Sequence, residues 1–89
     1  MKRAASDSQI IGIVAVNVRA ARKLAGLSQE ELAFEARLDR TYISQVERKQ
    51  RNVTISVLAR IAKALGVTPD KLLVPSAGSV SSRPKRRRG

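Results

Sequence analysis

Gly26-Leu27-Ser28-Gln29-Glu30-Glu31-Leu32-Ala33 and, shortly after it, Leu38-Asp39-Arg40-Thr41-Tyr42-Ile43-Ser44-Gln45-Val46-Glu47-Arg48 decide how this 89-residue chain folds. Ser28 and Glu31 stand in the S-x-x-E spacing in which hydroxyl and carboxylate each satisfy a backbone N–H left free at a helix start. The spacing predicts a helix over 29–36 with Leu32, Ala33 and Ala36 inward. Leu38-Asp39 breaks it, and Asp39 is a suitable N-cap for a second short helix, about 40–48, that buries Ile43 and Val46. What remains outward on that second helix is polar: Arg40, Thr41, Ser44 and Gln45.

Working outward, Ile10 to Ala25 mixes two signals. Its first half is β-branched and would pass for a strand, whereas Arg19 to Ala25 strongly favours helix. Ile11, Val14, Val18, Ala21 and Ala25 make one helical stripe, and Gly26 suits the left-handed residue that ends a helix. A single helix is predicted over 9–25, after a loose leader, 1–8. Downstream, Thr54 opens a helix whose Leu58, Ile61, Ala62 and Leu65 keep helical spacing, and Gly66 closes it. Thr68-Pro69-Asp70 reads as N-cap, proline and first-turn acid of a fifth, short helix carrying Leu72 and Leu73. Pro75 to Ser79 has linker composition. The expected fold is all-α: five helices over 9–75 and a disordered basic tail over 76–89.

Composition narrows the function. The chain has no Cys and no His, which removes disulfides, thiolate nucleophiles, zinc fingers and every imidazole-dependent dyad. Glu30, Glu31 and Glu35 cluster, but without a partner base or a Gly-rich phosphate loop they read as a solvated helix side, and no enzyme is expected. Neither a metal nor a cofactor is implied. Aromatics are 2% of the chain, too few for base-stacking platforms. The net charge is +11; Arg83, Lys85, Arg86, Arg87 and Arg88 put five of those charges in the tail, and the rest of the chain is also basic. Such a chain seeks a polyanion. The apolar run from Ile10 is too short for a bilayer and lacks a cleavage site, so neither membrane nor export is expected, and the location is taken as cytoplasmic.

Two short helices separated by a few residues, the second polar outside, have the form of a helix-turn-helix. Together with Leu58-Ala59-Arg60-Ile61-Ala62-Lys63-Ala64-Leu65-Gly66-Val67, the stretches quoted above resemble the lambda-repressor/Cro-like (Xre-type) DNA-binding family over residues 10–74. Leu38 to Ser44 and Arg51-Asn52 look most like the controller proteins of restriction–modification systems. The resemblance implies a regulator of transcription that binds double-stranded DNA through a helix-turn-helix at about 28–48. It implies base contacts from Arg40, Thr41, Ser44 and Gln45, side chains able to bond guanine, adenine or thymine edges. Phosphates would be met by Gln29 at a helix start, by Arg48, Arg51 and Asn52, and by Tyr42, whose ring could equally fill the core. In the family, residues matching Arg22 and Glu47 form a structural salt bridge, and that role is carried over. Two departures stand out. Arg37 and Lys49 occupy turn positions where the family usually has Gly, so either the turns differ or the fold tolerates left-handed strain of about 1–2 kcal/mol.

A nine-residue helix is about 13 Å long and reaches few base pairs, so a homodimer on a palindromic operator is expected. Val67, Leu72, Leu73 and Val74 are the first candidate surface, and Ile10, Ile13 and Val16 the second. The tail would add salt-sensitive affinity. No small-molecule ligand is expected. The alternative readings are the antitoxin of a toxin–antitoxin pair and a nonspecific nucleic-acid-binding protein.

Overall fold

The structure, a computed structural model, describes residues 6–75, and among these all regular structure is helical. Four α-helices follow one another: α1 (Asp7–Leu24), α2 (Gln29–Ala36), α3 (Arg40–Glu47) and α4 (Ile55–Leu65), with a single 3-10 turn, Pro69–Leu72, behind them. The basic tail expected over 76–89 lies outside the described residues.

Helix α1 starts earlier than the apolar stripe indicates. The Ser6 hydroxyl accepts from the Gln9 N–H at 3.2 Å while the Gln9 side chain accepts from the Ser6 N–H at 2.8 Å. Asp7 sits in the first turn, where the helix dipole favours an acid. Residues 6–8 therefore belong to α1 and its cap rather than to a loose leader. The β-branched half of α1 is helical because packing outweighs propensity: Val14 and Val18 enter the core with Ala15 beside them.

Ser28 and Glu31 cap α2 reciprocally, at 2.9 and 2.8 Å. Thr54 caps α4 through the Val57 N–H at 3.2 Å. Asp39 occupies the N-cap of α3 with extended backbone, but its carboxylate makes no capping bond, contrary to the role expected of it. Each α-helix is followed by one left-handed residue: Gly26, Arg37, Lys49 and Gly66, with φ of 75°, 61°, 65° and 76°. The geometry at Arg37 and Lys49 is thus the one glycine would adopt, and the fold carries the side-chain cost there.

The core is aliphatic. Val14 and Val18 from α1, Leu32 and Ala36 from α2, Ile43 and Val46 from α3, and Leu58, Ile61 and Leu65 from α4 meet in one cluster. Helix α2 packs on α3 and α4, and α1 lies against α3. The fifth helix does not form. Pro69 and Pro75 leave too little chain between them for an α-helical ladder, and i→i+3 bonds, Lys71 N–H to Thr68 and Leu73 N–H to Asp70 at 3.0 Å each, close a 3-10 turn. Thr68 stands at its start without a side-chain cap. The turn drives Leu72 into the core at 1% exposure. Asn17, a buried polar residue in the middle of α1, holds this segment down: its amide donates to the carbonyls of Leu72 at 2.9 Å and Val74 at 2.8 Å.

Candidate nucleic-acid interface

Helix α3 is buried on one side and polar on the other. Ile43 and Val46 face inward, fully buried, while Arg40 and Thr41 are exposed and Ser44 and Gln45 half-buried on the remaining surface. Helical spacing puts Arg40, Thr41, Ser44 and Gln45 on neighbouring turns of one side. Beside them a groove is bordered by Phe34 and Arg37 from the end of α2, by Thr41, Tyr42 and Gln45 of α3, and by Arg51 from the loop beyond. Tyr42 serves two ends at once: its ring packs against the core, and the Arg51 guanidinium lies over it, 4.4 Å from the centroid. Arg51 Nε donates to Gln45 Oε1 at 3.2 Å. Arg48 and Asn52 are exposed on the same connection between α3 and α4.

The other end of α3 is held from behind. Arg22 on α1 grips Glu47 with two parallel bonds, Nε to Oε2 at 2.6 Å and Nη2 to Oε1 at 3.0 Å, and its third nitrogen donates to the Leu27 carbonyl at 2.9 Å. The side chains are 12% and 4% exposed, so this is a desolvated, bidentate pair. Gln29, half-buried at the first position of α2, donates its amide to Glu47 Oε1 at 3.1 Å. Burial alone would push the Glu47 carboxyl up, but bonds from Arg22 and Gln29 and the charges of Arg22 and Arg19 outweigh it and hold it below the usual carboxylate range. The bond to Glu47 raises Arg22 further above its ordinary value, against its own desolvation.

Arg60 was not singled out from sequence. It reaches from α4 to the turn between α2 and α3, where Nε donates to the Ala36 carbonyl at 3.1 Å and Nη2 to the carbonyl of Arg37. These are carbonyls at the end of α2 that lack partners in the helix. The sole hint was indirect: a non-glycine residue at position 37 calls for a brace from elsewhere.

Of the apolar residues first considered for self-association, Leu72 is interior and offers no free surface, and Val67 is half-buried against the core. Leu73 and Val74 are exposed, as are Ile10 and Val16 of α1, while Ile13 is half-buried. Ile10, Leu73 and Ile55, the last 85% exposed, border a largely apolar groove between α1 and the start of α4, which Arg51, Asn52 and Thr54 also line. Among the described residues, no helix is long and apolar enough to cross a membrane.

A family model described as helix-turn-helix matches residues 18–72. Control protein C.SmaI of Serratia marcescens is 56% identical over 61 residues, covering 68% of this chain and 73% of that protein. Among solved structures, a hypothetical transcription factor NHTF from Neisseria superposes with a TM-score of 0.76 at 40% identity, over 86% of this chain and 88% of the other. The restriction–modification controller protein C.AhdI from Aeromonas hydrophila superposes with a TM-score of 0.68 at 42% identity, over 70% and 94%.

Proposed function

The chain belongs to the helix-turn-helix family of the Xre type, and from that premise we propose that it is a sequence-specific regulator of transcription that binds double-stranded DNA as a homodimer. Its relatives include controller proteins of restriction–modification systems, and the same kind of control is proposed for this chain. The observation that carries the reading is the two-sided α3: apolar side chains lock its back into the core while the polar side chains of Arg40, Thr41, Ser44 and Gln45 stand on its other side. A helix so mounted enters the major groove, where those side chains meet base edges. Arg48, Arg51, Asn52 and the Tyr42 hydroxyl flank it within reach of phosphates, and the start of α2 at Gln29 offers backbone N–H groups to another.

Eight residues of α3 span only about 12 Å, so one domain reads too few base pairs to single out an operator. Two copies related by a twofold axis would place their α3 helices about 34 Å apart on an inverted repeat. The largely apolar groove bordered by Ile10, Ile55 and Leu73 is the surface proposed to meet the second copy, with the exposed Val74 next to Leu73 in sequence. Selecting bound duplexes from random DNA, with sedimentation of the complex, tests both parts. The expected product is an inverted repeat carrying two chains. Unenriched sequence at moderate salt would refute the regulator, and a single copy on an enriched site would refute the dimer.

A further inference from the structure

Gln45 and Arg51 sit on different elements, yet one hydrogen bond joins them on the exposed side of α3. An arginine has only donors, so the atom that Gln45 turns toward Arg51 Nε must be its carbonyl oxygen. The ambiguity that ordinarily attends an amide side chain is thereby settled by chemistry. With one of the two lone pairs of Oε1 taken, the end of Gln45 that keeps its full bonding capacity is its NH2 group, a pair of donors. Arg51 is itself held, because its guanidinium plane rests on the Tyr42 ring. Water competes with such a bond on an exposed surface, but exclusion of water inside a DNA groove strengthens it.

We infer that Arg51 is a positioning residue for Gln45, setting it to read hydrogen-bond acceptors on a base edge, guanine O6 and N7 or thymine O4, instead of adenine. A glutamine reads adenine by accepting from N6 and donating to N7; with Arg51 already on one lone pair of Oε1, N6 has only the other to reach, which disfavours that pairing. Cytosine presents only a donor there and is disfavoured for the same reason. The inference rests on the DNA-binding reading and deepens it. It changes Gln45 from an adaptable contact into one with a stated preference, and gives Arg51 a task beyond neutralising phosphate.

Site selection with the full chain tests it. The base pair whose preference collapses in Gln45→Ala is the one Gln45 reads. At that pair the unaltered protein should favour guanine or thymine by about tenfold over adenine and cytosine. Arg51→Ala should move that one pair toward adenine while the ranking at other positions persists. Tyr42→Phe, which keeps the ring under Arg51 but removes the hydroxyl proposed to meet a phosphate, should weaken all sites alike and leave the ranking of bases at that pair as it was. Adenine preferred by the unaltered protein, or an Arg51→Ala that loses affinity for all sites alike with no change of preference at that pair, would overturn the inference. Should no variant select any sequence, the DNA reading falls first. The pairing is then judged in the free protein by NMR, where Arg51→Ala must shift the side-chain amide signals of Gln45. Unmoved signals would overturn the inference on its own.

Discussion

Two arginines hold α3 in place, one at each end, and they do it differently. At the entrance, Arg60 donates to two backbone carbonyls of the preceding turn, where the surroundings are partly open to water. At the exit, Arg22 grips the carboxylate of Glu47, nearly closed off from solvent and shared with Gln29. A carbonyl left without its arginine can turn to water. A buried carboxylate left without its arginine is an uncompensated charge. The exit tie is therefore the costlier to break, and it alone of the two contains a group that titrates.

That ranking can be broken by measurement. Arg22→Ala should lower stability by about 3 kcal/mol, since it strands Glu47 in the interior; urea denaturation gives the number, and a loss no larger than that of Arg60→Ala would reverse the comparison. The same tie carries a pH dependence. Glu47 is held below the ordinary carboxylate value, about 4.3, so its contribution is complete above that value and is lost as pH falls through the lower, folded one. Melts between neutral and acidic pH should show stability falling in acid, and the fall should be shallower in Glu47→Gln, with a residual slope from Asp70, which Thr68 also holds low. Arg60→Ala should cost about 1–2 kcal/mol and leave the acid slope untouched. The smallest effects concern the two strained turns. Arg37→Gly and Lys49→Gly should each raise stability by about 0.5–1 kcal/mol, the left-handed cost removed less the entropy glycine brings. No gain at either position in thermal melts would mean the turns are relaxed.

The same contrast separates what could be read from the chain from what could not. The boundaries of α2 and α4 follow from signals within a few residues of each other: Ser28 with Glu31, Thr54 before an apolar stripe, Gly66 after it. The outward residues of α3 follow from its period. Ser6 and Gln9 carry the same local signal at the start of α1, but it stands ahead of the apolar run that marks the rest of the helix. Pro69 has the form of a helix start, yet its distance to Pro75 allows only a 3-10 turn. Arg60 and Asn17 were beyond such reading: each bonds to backbone carbonyls more than twenty residues away, and carbonyls are the same in every residue. Side-chain patterns reveal which surfaces are apolar, but not which distant carbonyl lacks a partner. Leu72 illustrates the reverse error, since an apolar residue near the end of a small domain looks available until the turn places it inside.

The bonds of Asn17 also impose an order on folding during synthesis. Its acceptors, the carbonyls of Leu72 and Val74, lie 55 and 57 residues downstream, so α1 leaves the ribosome first and the Asn17 amide keeps water as its partner until nearly the whole domain has been translated. Helices α2, α3 and α4 are short neighbours along the chain and can collapse on one another meanwhile. The helix made earliest thus waits longest for its final tie, although Glu47, the partner of its Arg22, is translated well before then.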